Sequence, residues 1–273
     1  MGPETSSKTT AYESKVPDAR GIISYTDEEN AVWRDLRARQ AKLLPGRVCN
    51  AFLKGIDLLE LPPDRVPQLK EVNARLQEIS GFGVAPVPAL ISPKRFFTLL
   101  AERRFPAATF IRRREDFDYL QEPDVFHEIF GHCPMLTLPT YADFLQKYGE
   151  TALRLDKSYL WMMQRLFWFT VEFGLIETEE GTRIYGAGIA SSAGETPYAV
   201  ESARPERRPF DAMTVFRTPY RIDIFQTVYY VIDSARQLYD LVSSDLVPIM
   251  DEARRLGSLP PTFPPKEAEA GAA

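Results

Sequence analysis

Pro123-Asp124-Val125-Phe126-His127-Glu128-Ile129-Phe130-Gly131-His132-Cys133-Pro134 holds both histidines of a 273-residue chain. A neutral imidazole is the commonest protein ligand of a borderline metal ion, so two of them within six positions mark a metal site. On an unbroken α-helix, residues five apart point about 140° away from one another, which keeps the two rings from facing one ion. Gly131 predicts a way round this: a helix that ends there in the left-handed conformation, swings His132 back toward His127, and is barred from continuing by Pro134.

The third ligand is expected from the stretch 158–176, where Glu172 is the only acid. It lies among Phe169, Val171, Phe173, Leu175 and Ile176 on a segment apolar on nearly every face. A buried carboxylate needs a cation, and Arg165 stands seven residues away, too far for a direct pair. A metal held by His127, His132 and Glu172 accounts for all three residues. Two histidines and one carboxylate leave coordination positions open, for dioxygen chemistry if the ion is iron(II) or for hydrolysis if it is zinc. Glu128 after His127 approaches the zinc-protease H-E-x-x-H pattern, but the histidines here are five apart rather than four. On residue types alone, iron, zinc and two histidines satisfied without a metal all stay open.

Composition bounds the rest. With 44% hydrophobic residues the chain can bury one sizeable core, and its length fits one large domain. A net charge of −5 argues against a nucleic-acid surface. Two cysteines, Cys49 and Cys133, make no disulfide framework, and no apolar run is long enough to span a bilayer. The polar N-terminus shows no signal peptide, so a cytoplasmic protein is expected. Cys133 reads as a small buried thiol.

In chain order, residues 1–20 form a polar tail expected to be disordered, residues 21–257 the folded domain, and residues 258–273 a second disordered tail rich in Pro, Ala and Glu. Thr26 and Glu29 make a capping box for a first helix, broken by Pro45-Gly46. A second helix runs to Pro62-Pro63, and a third from near Pro67 to Gly81. Val84 to Ile91 is extended, Ser92-Pro93 starts another helix, and Phe105 to Arg112 reads as a strand. An amphipathic helix over 140–155 precedes the Glu172 helix. Thr178 to Ile189 reads as a hairpin about Glu180-Gly181, with Gly186 and Gly188 permitting close approach of a ligand or backbone. After a short extended piece, Tyr220 to Asp223, a long helix is expected to carry Phe225, Val228, Tyr229, Ile232, Leu238 and Tyr239. The expected fold is mainly α: one catalytic domain of packed helices with a few short strands and hairpins, and the metal site in a central cleft.

Several blocks resemble one family. They are Leu43-Leu44-Pro45-Gly46-Arg47, the run from Asp118 through Glu128 to Gly131-His132, Trp168-Phe169-Thr170-Val171-Glu172-Phe173-Gly174-Leu175, Ile184-Tyr185-Gly186-Ala187-Gly188-Ile189 with Ser191-Ser192, and Tyr220-Arg221-Ile222-Asp223. Together they resemble the pterin-dependent aromatic amino acid hydroxylases, in the same order from about residue 25 to about 245. The resemblance implies iron(II) on His127, His132 and Glu172, and a tetrahydropterin stacked on Phe96, near the Ile91 backbone and, through water, Glu128. It implies an amino acid substrate with its carboxylate on Arg112 and its ring among Trp168, Phe173 and the metal. Ser191 is implied beside the substrate and, behind the first histidine, as the group that fixes that ring.

The implied reaction converts L-phenylalanine to L-tyrosine with O2, through an iron(IV)-oxo species. Tryptophan as substrate keeps the same machinery, and a His2Glu zinc hydrolase is the alternative from another class. Small molecules are the expected partners, with no nucleic acid and no membrane. The chain has no heptad pattern near its end, so a monomer is expected. Two positions depart from the family. Phe167 stands where many relatives have Tyr, removing a hydroxyl near the pterin, and Leu120 stands where animal members have Thr, leaving Arg112 as the main substrate anchor.

Overall fold

The computed structural model describes residues 12–88 and 91–265. Three helices open the fold, α1 (Asp27–Leu43), α2 (Asn50–Leu59) and α3 (Leu69–Ser80). The predicted capping box is present: Thr26 accepts the Glu29 N–H while the Glu29 carboxylate accepts the Thr26 N–H. Gly81 closes α3 in the left-handed conformation. A parallel strand pair follows, β1 (Gly83–Pro86) and β2 (Arg104–Ala107), around α4 (Pro93–Ala101), which Ser92 caps at its start.

The middle of the chain carries a π-helical turn, Phe126–His132, continuing into α5 (Cys133–Leu136) and then α6 (Pro139–Arg154). Next come α7 (Leu160–Phe167), a second π-helical turn, Trp168–Glu172, and the hairpin β3 (Leu175–Thr178) and β4 (Gly181–Ile184). The remainder is α8 (Ala187–Ala190), α9 (Glu195–Glu201), β5 (Glu206–Pro209), α10 (Ala212–Arg217), β6 (Val228–Ile232), α11 (Ala235–Ser243) and α12 (Val247–Leu256). The four later strands form one sheet in the order β4-β3-β6-β5, with β6 parallel to both neighbours. Helices dominate, as expected. The main hydrophobic core has Trp33, Phe126, Phe130 and Tyr148 among its fully buried rings, and Tyr12, Ala108 and Phe110 form a small second cluster.

Several expectations are corrected. The long helix over 225–239 is a strand followed by a helix: Val228-Tyr229-Tyr230-Val231-Ile232 is β-branched or aromatic throughout and sits inside the sheet, and Ser234 caps a new helix. The hairpin ends at Ile184, and Gly186 leads into α8 rather than extending a strand. The strand expected over 105–112 pairs only as far as Ala107, where the Ala107 carbonyl accepts from Val87. The extended run toward Ile91 is seen to Pro88, and residues 89–90 lie outside the described residues.

Residues 12–20 and 258–265, expected in the two tails, lie among the described residues and make contacts with the domain. Tyr12 is buried and stacked on Phe110, with ring centroids 4.9 Å apart, and the Thr109 hydroxyl donates to the Lys15 carbonyl at 2.6 Å. One aromatic anchor and a few backbone contacts hold residues 12–20, a device with no periodicity to read. At the other end the Leu259 N–H donates to the Arg217 carbonyl at 2.8 Å, and Arg221 donates to the Pro264 carbonyl at 3.1 Å. Residues 1–11 and 266–273 lie outside the described residues.

Gly186 shows why α8 can lie where it does. A Cβ there would stand 2.5 Å from the Glu172 carbonyl oxygen and from the Gly174 nitrogen, both backbone atoms. Gly186→Ala is expected to destabilise the protein by about 1–3 kcal/mol, the cost of forcing a methyl group into filled space, read as a shifted midpoint in urea denaturation.

Candidate metal centre

The i→i+5 winding of Phe126–His132 answers the spacing problem that the histidines pose. A π-helix brings residues five apart close to register, so the two imidazoles meet on one side without a break. The expected helix end at Gly131 is therefore corrected: Gly131 does not take the left-handed conformation, and the chain runs on into α5 with Pro134 in its first turn. Gly131 serves packing instead, since a Cβ would stand 3.1 Å from the Ala187 carbonyl oxygen of α8. The second π-helical turn ends on Glu172, and the Phe173 N–H donates to the Trp168 carbonyl five residues back at 2.9 Å.

These two turns bring His127, His132 and Glu172 together. The two Nε2 atoms are 3.1 Å apart, His127 Nε2 is 3.4 Å from Glu172 Oε2, and His132 Nε2 is 3.3 Å from Glu172 Oε1. Two ligands each about 2.1 Å from one ion and at right angles to one another stand about 3 Å apart, so this donor set fits a single metal ion. Glu128 is also close: its carboxylate and the two imidazoles offer donor atoms within 4.8 Å of one another. Glu172 is the better third ligand because each of its oxygens faces a different Nε2.

Burial and charge act against each other here. Burial alone would raise Glu172, but the two imidazoles hold it ionised, well below the usual carboxylate range. Burial would lower His127, but the Glu172 charge and hydrogen bond outweigh it and push the imidazole up to about 8. For His132 burial wins and the shift is downward. Burial pushes Glu128 up to about 8. Cys133 is fully buried, its thiol pushed well above the usual range by burial and placed 3.5 Å from the Glu128 carbonyl, so it is a packed thiol as expected.

Ser191 lies behind His127. Its Oγ donates to the Ala187 carbonyl at 2.8 Å and stands 2.9 Å from His127 Nδ1. With the hydroxyl hydrogen on Ala187, Oγ accepts the Nδ1–H, and the Nε2 lone pair is left for an ion.

A cleft of about 1170 Å³ opens on the centre and is lined by His127, Glu172, Arg112, Trp168, Phe173 and Ser191, among others. It is roomy for a small-molecule site, where about 300–1,000 Å³ is usual. Arg112 enters it held by Asp124, a residue the sequence reading missed. Arg112 Nε and Nη2 donate to the two Asp124 oxygens at 2.8 and 2.9 Å, leaving Nη1 outside the pair. Asp124 is fully buried, and it also accepts the backbone N–H groups of Arg112 and His127, both at 3.0 Å. Its signal is an acid three residues before the first histidine, where a helix cap is expected. Trp168 stacks on Tyr220 with centroids 4.4 Å apart and leans on Phe173 at 4.5 Å.

Ile91, Phe96 and Glu128, the residues expected at a pterin, are not on the lining of this cleft. Phe96 is half-buried and reaches the histidines through Phe167, whose ring is 5.2 Å from Phe96 and 6.4 Å from His132. Phe167 thus fills apolar space between the two.

The family described as biopterin-dependent aromatic amino acid hydroxylase matches residues 4–244. The chain is 52% identical over 263 residues to a phenylalanine-4-hydroxylase of Vibrio cholerae, covering 95% of this chain and 90% of that one. Among solved structures, phenylalanine hydroxylase from Legionella pneumophila is similar with a TM-score of 0.90 at 55% identity, covering 92% of this chain and all of that one. Chromobacterium violaceum phenylalanine hydroxylase, solved with bound oxidised Fe(III), is similar with a TM-score of 0.86 at 44% identity, covering 92% of each chain.

Ser191→Ala leaves the Nδ1–H of His127 without its acceptor. It is expected to weaken metal binding about 10- to 100-fold, read by calorimetric titration of the apoprotein with cobalt(II).

Proposed function

Because this chain belongs to the biopterin-dependent aromatic amino acid hydroxylases, we propose that it converts L-phenylalanine to L-tyrosine with dioxygen, a tetrahydropterin and iron held by His127, His132 and Glu172. The observation that carries this reading is the convergence of these three side chains beside a cleft that also holds a buried arginine and two aromatic rings. The donor spacing fits one ion, and a relative of the same fold holds Fe(III). When bound, iron and reduced pterin together supply the activation of dioxygen, one oxygen atom passing to the substrate ring and the other to the pterin.

The chain's own residues supply position and dryness. Arg112, held by Asp124 through Nε and Nη2, offers Nη1 to the substrate carboxylate, and this fixes which edge of the ring meets the metal. Trp168 and Phe173 receive the aromatic ring, and Ser191 holds the His127 imidazole in the tautomer that binds metal through Nε2. Phe96, the Ile91 backbone and Glu128 would hold the pterin, with Phe167 presenting a ring edge-on to Phe96 in place of a hydroxyl. The burial of His132 and its contact with Phe105, centroids 4.4 Å apart, keep bulk water off that side of the centre. The described helices include none long and apolar enough to cross a membrane, and the protein acts as a monomer in the cytoplasm.

Protein reconstituted anaerobically with iron(II), then given phenylalanine, a tetrahydropterin and air, is expected to form tyrosine only with both iron and pterin. A zinc-loaded sample is expected to form none. Turnover with zinc and without pterin would overturn the reading, and tryptophan tried in parallel tests the choice of ring.

Arg112 calls for a variant that respects Asp124. Arg112→Ala leaves a fully buried carboxylate without its cation, so it costs stability as well as substrate. Arg112→Lys keeps the charge and loses the fork; it is expected to raise KM for phenylalanine about tenfold or more, read by steady-state kinetics.

A further inference from the structure

The indole of Trp168 is held in two different ways. Stacking on Tyr220, with ring planes 15° apart, fixes its tilt but lets a flat ring turn or slide in its own plane. The second hold is directional: Trp168 Nε1–H donates to Gln226 Oε1 at 3.0 Å. Gln226 is itself buried, and its Nε2 donates to the Arg221 and Ile224 carbonyls at 2.9 and 3.2 Å. Residues 222–225 line the same cleft as Trp168, so one amide joins an aromatic wall of the cleft to the loop at its edge.

Gln226 is anchored in turn. Its backbone N–H donates to Glu195 Oε1 at 2.9 Å, and the Tyr229 hydroxyl donates to the same oxygen. Glu195 is 4% exposed and Tyr229 fully buried. Tyr229 lies in β6, an inner strand that pairs with both β3 and β5, so the chain of contacts ends on a buried residue inside the sheet.

We propose that Gln226, tethered by Glu195 and Tyr229, is a positioning residue that fixes the in-plane orientation of the Trp168 indole and so sets where the substrate ring lies. The proposal rests on the hydroxylase reading given above. An aromatic ring held a fraction of an ångström off its place still lets oxygen be consumed at the metal, but less of it reaches the ring. Loss of Gln226 should therefore separate pterin oxidation from tyrosine formation rather than stop both.

The test uses Gln226→Met, which keeps length and volume but removes both donor and acceptor, with Trp168→Phe and the double variant, all in the full-length protein. Gln226→Met is expected to raise KM for phenylalanine and lower tyrosine formed per pterin oxidised, each about fivefold, the factor carried by one neutral hydrogen bond. Pterin oxidation itself should stay within about twofold. The double variant should lose less than the two single losses combined, because both substitutions break the Trp168–Gln226 bond, while Gln226→Met alone also removes the bonds to the Arg221 and Ile224 carbonyls. The metal-free protein gives a second readout: acrylamide quenching of Trp168 emission, isolated by subtracting the Trp168→Phe spectrum, should increase in Gln226→Met.

Wild-type coupling and quenching in Gln226→Met, or losses that add in the double variant, would overturn the proposal. If Gln226→Met does not fold, Gln226→Asn, an amide one methylene too short to reach the indole, carries the same expectations. Wild-type protein that forms no tyrosine would overturn the hydroxylase reading instead, and the quenching comparison would still decide the role of Gln226.

Discussion

Two imidazoles five residues apart in the chain have Nε2 atoms 3.1 Å apart, and the winding that permits this constrains everything around it. An i→i+5 turn is wider than an α-turn and packs less well on itself, so its neighbours must fill the space. Phe126 stacks on Phe130 at 4.7 Å along one side of the turn, and Trp33 of α1 meets Phe126 edge-on at 5.4 Å. On another side α8 comes so near that a methyl group on Gly131 would crowd it, a Cβ standing 3.1 Å from the Ala187 carbonyl oxygen. The same approach carries Ser191 to the back of His127. Packing and ligand orientation are thus one arrangement.

Glu172 reaches the centre by the same device. Its segment also widens to a π-turn just before the ligand, and the chain then turns directly into β3. The glycines after β4 let α8 cross behind the Glu172 carbonyl, so one short helix supports both π-turns. Burial works against the Glu172 charge, and the two imidazoles that face its oxygens hold it ionised. Asp124 repeats the logic one step out, since it is fully buried and its charge is balanced by Arg112, which leaves that pair by only one nitrogen.

Much of this was legible in the sequence. Capped helices announced themselves where side chain and backbone bond locally, as at Thr26 with Glu29 and at Ser92. The three proposed metal ligands stood out by scarcity: the only two histidines, and the only acid in an apolar helix. What escaped depends on partners distant in sequence. Val228–Ile232 is a five-residue apolar run, too short for its period to separate strand from helix, and only pairing with β3 and β5 makes it a strand. Gly131 looked like a helix end because a glycine before a proline is the usual stop signal, whereas its reason is contact with a helix 56 residues later. Gln226 and Glu195 lie 31 residues apart and belong to no motif, so nothing short of the folded chain joins them to Trp168.

The segment from Tyr12 to Tyr25 lies against the back of the strand-like run that ends in Arg112. Tyr12 stacks on Phe110, the Lys15 carbonyl accepts from Thr109, and the Tyr25 hydroxyl donates to the Thr109 carbonyl at 2.8 Å. None of these residues is among the metal ligands or the aromatic rings of the cleft, yet all bear on the backbone that aims its guanidinium. Substitutions in this leading segment are a route by which selection can adjust how Arg112 enters the cleft while His127, His132 and Glu172 stay as they are.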